Sequence, residues 1–493
     1  GSPMASKAVF LFTLVIFFAS TLTSSSSSVL FPLTHTLARS RHVPVHQLLK
    51  SATESALSRF RIRHRRQQAS LPLSQGSDYI LSLTINTSPP QSVSLYMDTG
   101  SDLVWFPCQP FDCVLCEDKQ PPHAAPPVNL SSTASKLHCK SPSCSAVHSK
   151  LPSSDLCAIS GCPLVSIETS DCISHPCPPF YYAYGDGSLV GQLFLNSVKL
   201  PSSGSPLVIR NFTFGCSHSA LGEPIGVAGF GQGLLSLPAQ LAAGHPQLGG
   251  AFSYCLVSHT FNSSRTSLPS PLILGRYTGK TRRPNDNDRF TSDDKNFVFT
   301  PVLENPANPY FYVVGLEEIS VGEKTIPAPE FLKLVDRQGT GGMVVDSGTT
   351  FTLLPSEMYN SVVASFHERL ASTYERASMV EDNTGLSPCY YSDDSFILPE
   401  FAFSFSGNSK VMLPKENYFY EFIDGSGKGT RRKVGCLMVM NGGDEKELIG
   451  GPGATLGNYQ QQGFEVVYDL VEKRIGFARR RCESLWKRLN GRR

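Results

Sequence analysis

The chain is 493 residues long, 40 % hydrophobic and 17 % charged, enough for two or three domains around a large buried core. Its net charge of +2 is unevenly placed: residues 1–66 hold nine Lys/Arg against the single acid Glu54, leaving 34 basic and 40 acidic residues beyond them, a net of −6. A mildly acidic body excludes the basic surface that a nucleic-acid partner would require.

Lys7, the apolar run Ala8–Ala19 and the small residues Ser20–Ser28 follow the charged, apolar, small order of a secretory signal peptide, placed at residues 4–23. The apolar run falls short of the roughly 20 residues needed to cross a bilayer, so no stable membrane anchor is expected. The charged C-terminus, Trp486-Lys487-Arg488 onward, is no lipid-anchor signal. The expected destination is extracellular, in the apoplast, or vacuolar by the secretory pathway. Residues 24–76 form a basic segment rich in Ser, Arg and His, helix-compatible around Pro44–Arg66, with a dibasic Arg65-Arg66 near its end.

From Ser77 the character changes to short β-rich runs, Tyr79–Ile85, Ser92–Met97, Leu193–Leu200 and Leu207–Phe214, broken by Gly, Pro, Ser and Asn turns. This predicts an all-β body, with a first lobe at 77–300, a second at 301–482 and a charged tail at 483–493. Two stretches read as loops: Pro-, Ser- and Cys-rich Lys119–Pro179, and charged Gly275–Asn296. Nine of the 14 cysteines lie between Cys108 and Cys177, which points to disulfides in an oxidising compartment. Cys113 and Cys116 have zinc-ligand spacing, but no second such pair follows, and neither metal nor cofactor is expected. Acceptor sequons at Asn86, Asn129, Asn211 and Asn262 suit a secreted glycoprotein.

One internal repeat organises the body. Leu95-Tyr96-Met97-Asp98-Thr99-Gly100-Ser101 recurs as Met343-Val344-Val345-Asp346-Ser347-Gly348-Thr349. Each copy is followed at a similar interval by an apolar pair and a glycine, Val227-Ala228-Gly229 and Thr455-Leu456-Gly457. A single copy would read as an Asx turn closing a strand. Two copies in the same order predict two related lobes whose turns meet on a pseudo-twofold axis, with Asp98 and Asp346 side by side. Adjacent carboxylates cannot easily both ionise; they share a proton and can act as paired general acid and base on a bound water.

These residues, with Asp98-Thr-Gly-Ser-Asp-Leu-Val-Trp105, Tyr184-Gly-Asp-Gly-Ser188, Gly226-Val-Ala-Gly-Phe-Gly231, Val345-Asp-Ser-Gly-Thr-Thr350 and Leu456-Gly-Asn-Tyr459, resemble the pepsin family of aspartic proteases, and within it the plant, nepenthesin-like branch with a cysteine-rich insertion, here 108–177. The resemblance implies a bilobal fold, an aspartic-type endopeptidase that is a monomer, and catalysis by Asp98 and Asp346. It implies that Thr99 and Ser347 knit the two loops together, that Gly100 and Gly348 form their turns, and that Ser101 and Thr349 bond the outer carboxylate oxygens. It makes Tyr184 and Gly185 the flap, with Tyr184 bonded to the Trp105 indole, and pairs Cys389 with Cys436. It also implies protein or peptide substrates cut between bulky apolar residues, and an inhibitory propeptide across the cleft. The second motif carries Ser347 where pepsin has Thr, and Ile85-Asn-Thr-Ser-Pro-Pro90 replaces the usual Gly-Thr-Pro-Pro run. The alternative is an inactive inhibitor or binding protein on the same fold. Other hydrolase classes lack their motifs: there is no Gly-x-Ser-x-Gly elbow and no His-Glu-x-x-His.

Overall fold

The computed structural model describes residues 28–36, 43–64, 79–116, 126–130, 133–148, 151–184, 187–202, 205–222, 225–248, 250–259, 261, 268–276, 296–425 and 432–491, with side chains 59–64 excepted. The signal segment, Arg65-Arg66 and most of the Gly275–Asn296 loop lie outside them. Among the described residues no helix is long and apolar enough to cross a membrane.

The two halves repeat one strand pattern. In the first, Gln91–Asp98 runs parallel to Gly226–Gly229, which pairs antiparallel with Val104–Val114, itself parallel to Leu207–Leu221. In the second, Met343–Val345 runs parallel to Ala454–Leu456, which pairs antiparallel with Thr352–Pro355, itself parallel to Val439–Gly443. Gln91–Asp98 buries alternate residues along much of its length, whereas Gly226–Gly229, Met343–Val345, Thr352–Pro355 and Ala454–Leu456 are buried on both faces.

The glycines that close the repeated apolar pairs are steric necessities. A Cβ on Gly229 would stand 2.5 Å from the Asp102 backbone, and one on Gly457 would stand 2.4 Å from the Phe351 backbone. Only a bare backbone passes that close to the chain leaving each turn.

Between the halves a continuous ladder joins Val298–Pro301, Arg474–Arg479, Phe464–Asp469, Ala251–Cys255, Ser270–Leu274 and Val29–His35. Phe252 stacks on Tyr468 at 4.6 Å in its middle. The Val29–His35 strand is a correction to the sequence reading, which placed no strand there. Pro32 argues against one, but it sits opposite Pro271 in the ladder. The predicted helix is found at Val45–His64 and rests on the second lobe through Leu49, Ala52 and Ala56.

Two other segments differ from expectation. The cysteine-rich stretch contains the short helices Pro142–Val147, Ser153–Ile159 and Leu164–Glu168. Its half-cystines supply the apolar core that the sequence lacked, packing with Leu137, Val147 and Leu156 against Trp105 and Phe180. The charged tail is an ordered helix, Cys482–Asn490: Leu485 and Leu489, four apart, are buried, while Lys487 and Arg488 lie toward solvent.

All 14 cysteines pair, as Cys108–Cys216, Cys113–Cys116, Cys139–Cys172, Cys144–Cys177, Cys157–Cys162, Cys255–Cys482 and the expected Cys389–Cys436. Asn86, Asn129 and Asn211 are exposed; Asn262 lies outside the described residues.

Gly457→Ala should destabilise the protein by about 3 kcal/mol, the upper end of the usual overpacking cost. Gly425→Ala, where an added Cβ meets nothing within 4 Å, should leave the melting temperature unchanged. Equal melting temperatures for the two variants would refute the steric argument.

Candidate active site

Each repeated strand ends in a tight turn at the interface of the lobes. Asp98 is 1 % exposed and Asp346 is fully buried. The turns treat their carboxylates alike: Gly100 N–H donates to Asp98 Oδ1 at 2.9 Å, and Gly348 N–H donates to Asp346 Oδ1 at 2.9 Å. One oxygen of each is thereby pinned to its own turn.

The turns are tied to each other. Thr99 N–H donates to Ser347 Oγ at 3.0 Å, and Ser347 N–H donates to Thr99 Oγ1 at 2.9 Å. Each hydroxyl passes its proton on across the interface, Thr99 to Val345 O and Ser347 to Met97 O, both at 3.0 Å. A hydroxyl suits this place because it accepts and donates at once, and Ser does so as well as Thr. Asn458 Nδ2 holds the Ser347 carbonyl at 2.9 Å.

The third positions differ. Thr349 Oγ1 donates to Asp346 Oδ2 at 2.5 Å, as expected. Ser101 Oγ, although buried, makes no hydrogen bond among the described residues, so the expected bond to Asp98 is not formed. Threonine's β-methyl restricts its χ1, whereas serine has no methyl to select the rotamer that reaches the carboxylate.

Above the first loop, Trp105 Nε1–H donates to Tyr184 Oη at 2.8 Å, the pairing the resemblance implied. Trp105 is fully buried, so its lone donor needs this acceptor. Tyr184 ends the Phe180–Ala183 strand of a hairpin with Ser188–Leu200. Gly185, at the tip, lies outside the described residues.

Several neighbours were not foreseen. Tyr182 packs on Tyr184 with ring centroids 5.0 Å apart. Burial raises its phenol well above the ordinary range, and Tyr310, Asp102 and Asp98 add to the effect. Asp102, one residue past the first turn, accepts from Gly233 N–H at 2.7 Å. Burial pushes its pKa up to about 6, against the opposing pull of the Gly233 and Leu235 N–H groups. An acid directly after the repeated motif was the only sequence signal for it, and a surface position would have left the same signal. The zinc-spaced Cys113 and Cys116 are bonded to each other.

Two buried carboxylates on hydrogen-bonded turns, under an aromatic hairpin, form an arrangement able to bind and activate a water. Comparisons with known proteins agree with it. The family model described as "Xylanase inhibitor N-terminal" matches residues 79–276, and "Xylanase inhibitor C-terminal" matches 311–479. A "probable aspartyl protease" of Arabidopsis thaliana is 56 % identical over 97 % of this chain and 98 % of its own length. Aspartic proteinase nepenthesin-2 of Nepenthes gracilis is 30 % identical over 90 % of this chain and 87 % of its own. Among solved structures, basic 7S globulin from soybean superposes with a TM-score of 0.56 at 17 % identity, covering 92 % of this chain and 96 % of that one, a likeness of fold alone.

Asp102 yields a stability prediction. Its folded pKa lies above the ordinary carboxylate value, so its favourable contribution is full below about pH 4 and is lost as pH rises through about 6. The loss is on the order of 2–3 kcal/mol. Asp102→Asn keeps a neutral side chain and should remove this slope from thermal melts recorded across that range. A variant that loses stability with rising pH as steeply as wild type would show that Asp102 is not the group responsible.

Proposed function

Because the chain belongs to the pepsin-type aspartic proteases of plants, we propose that Asp98 and Asp346 are the pair with which it hydrolyses peptide bonds. The observation that carries the assignment is the reciprocal bonding of Thr99 and Ser347, which ties the two carboxylate-bearing turns into one unit. One carboxylate, ionised, takes a proton from a water as its oxygen attacks the scissile carbonyl. The other, protonated, donates to the carbonyl oxygen, giving a gem-diol. Return of the protons, one to the leaving nitrogen, breaks the C–N bond and restores the pair. Tyr184 closes over the substrate, with its ring direction set by Trp105.

The pair works with one shared proton, and ordinary aspartate titrates near 3.9, so activity is favoured in acid. Substrates are proteins and peptides cut between bulky apolar residues, and the enzyme is a secreted or vacuolar monomer. The name of the matching family models raises the alternative of an inhibitor or binding protein; a complete pair and flap tyrosine favour the enzyme. Asp98→Asn and Asp346→Asn should each abolish turnover, by at least about 10³-fold, with the melting temperature retained. A statine-type inhibitor should compete with substrate. Full peptidase activity in either variant would overturn the assignment.

Residues 24–76 are proposed as a propeptide. The described part docks by the Val29–His35 ladder and by apolar contact: Leu30, Leu33, Leu49, Ala52 and Ala56 are buried against the body, and His46 Nε2 lies 3.2 Å from Asp424 Oδ1. Any basic side chain that reaches the Asp pair from 59–66 would lie outside the described side chains. A pH-sensitive contact lies at the base of the docked strand, where the His35 ring meets His259 at 4.3 Å, with 2 % and 1 % exposure. His259 Nδ1 accepts from Phe261 N–H at 2.9 Å, so that nitrogen is unprotonated. Burial, then His35, holds the His259 pKa well below the ordinary value of 6.5. Tyr79 packs against His35 and Tyr459 against His259. The docked state thus favours neutral imidazole: its stabilisation is full above about pH 6.5 and declines as pH falls below it.

Acid treatment of the full chain should shorten it near residues 66–77, and Asp98→Asn should stay long. His35→Phe should shorten more slowly than wild type near pH 5, read by intact mass. If Asp98→Asn shortens as fast as wild type, self-processing is excluded; if His35→Phe matches wild type, the histidine contact plays no part.

A further inference from the structure

The two turns are supported from below in different ways, and the difference singles out one side chain. The C=O of Asp98 and the N–H of Thr99 belong to one peptide plane. The carbonyl accepts from Phe230 N–H at 2.8 Å, and the N–H donates to Ser347 Oγ at 3.0 Å. In the first lobe, therefore, the inner support of this plane is backbone.

In the second lobe the matching plane joins Asp346 C=O to Ser347 N–H. The N–H donates to Thr99 Oγ1 at 2.9 Å. The carbonyl accepts from a side chain, Gln461 Nε2, at 3.4 Å; the same nitrogen donates to Leu456 O at 2.9 Å.

A primary amide can present either its donor or its acceptor end, and here Tyr254 makes the choice. Its hydroxyl donates to Gln461 Oε1, which turns Nε2 toward the carbonyls. With that proton committed, the Tyr468 hydroxyl, 2.8 Å away, is the donor to Tyr254. The three side chains are 0–1 % exposed. Burial raises both phenols well above their ordinary range, and the Thr99 hydroxyl lies within reach of each. The chain of contacts thus runs from Tyr468 through Tyr254 and Gln461 to Asp346, and closes on the far side through Ser347 and Thr99.

We propose that Gln461, aimed by Tyr254 and Tyr468, is a positioning residue for Asp346: it holds the Asp346–Ser347 peptide plane and, through it, the direction of the carboxylate. This rests on the assignment of Asp346 to the reacting pair. Gln461 acts through its bond to the Asp346 carbonyl, and Tyr254 and Tyr468 act through Gln461. Their contribution is to the precision with which a buried carboxylate meets a water, where a shift of a fraction of an ångström weakens turnover without weakening substrate binding.

The test uses the full chain, activated in acid and assayed on an apolar peptide across pH. Gln461→Met should lower kcat by about 10–100-fold with KM unchanged. Tyr254→Phe should lower kcat by about 3–10-fold, and by nothing further in the Gln461→Met background, because its effect runs through the amide.

Gln461→Glu supplies a readout that does not depend on the methionine variant folding. As a neutral acid it offers one O–H to a backbone carbonyl and one C=O to Tyr254, so it should work in strong acid and fail as the buried carboxyl ionises. The alkaline limb of kcat then moves to lower pH than in wild type. A profile superimposable on wild type, additive losses in the double variant, or an unchanged kcat in Gln461→Met would each overturn the proposal. Turnover in Asp346→Asn would remove the pair assignment together with this inference; a dead Asp346→Asn beside indifferent Gln461 variants would remove this inference alone.

Discussion

Two hydroxyls bear the geometry of this molecule. Thr99 and Ser347 each receive an N–H from the opposite turn and give a proton to the opposite strand, so four hydrogen bonds cross the interface within one turn's length. All are buried, where an unmade bond costs about 1–3 kcal/mol for each stranded group. No apolar side chain substitutes at either position without stranding an N–H and a carbonyl on the other half. The constraint fixes where the two aspartates stand, and the lobes are free to differ in nearly everything else.

They do differ. The first lobe and its insertion hold five disulfides, Cys108–Cys216, Cys113–Cys116, Cys139–Cys172, Cys144–Cys177 and Cys157–Cys162; the second lobe holds Cys389–Cys436. Three helices of five to seven residues cannot bury enough surface to persist alone, and crosslinks with buried sulfur make up the deficit. The second lobe instead uses the fifteen-residue helix Ser356–Leu370, whose Met358, Val362 and Phe366 repeat at four-residue spacing and are buried. The asymmetry reaches the turns themselves: backbone supports the plane at Asp98, a glutamine the plane at Asp346.

What could be read from the sequence was what repeats. Duplicated Asp-Thr/Ser-Gly turns and duplicated apolar-pair glycines predicted two lobes and the meeting of the turns that carry Asp98 and Asp346, because period and order are visible without coordinates. The pairing of Tyr184 with Trp105 was legible through the family resemblance, and a buried indole's demand for an acceptor agrees with it. What was not legible depended on partners distant in the chain. Gln461 is one of three consecutive glutamines, and partners distant in the chain, Tyr254 and Asp346, distinguish it. Ser101 matches Thr349 by position, yet one methyl group separates a bonded hydroxyl from an unbonded one. The Val29–His35 strand was concealed by its proline, and the C-terminal helix by the charges on its outer face.

Both ends of the described chain finish in the same place. Leu30 from the first strand and Leu485 and Leu489 from the last helix share a small buried cluster with Val257 and Ile273, sealed by Cys255–Cys482. The Ala251–Cys255 strand finds its neighbour in Phe464–Asp469, more than two hundred residues later. During synthesis, then, the first lobe can assemble its own sheet but carries an open strand edge until Phe464–Asp469 has been made. Such an edge is a template for pairing with the wrong chain. Completion of the interlobe ladder therefore waits on Phe464–Asp469, and a chain cut short before that strand would lose both the shared floor and the cover of that edge.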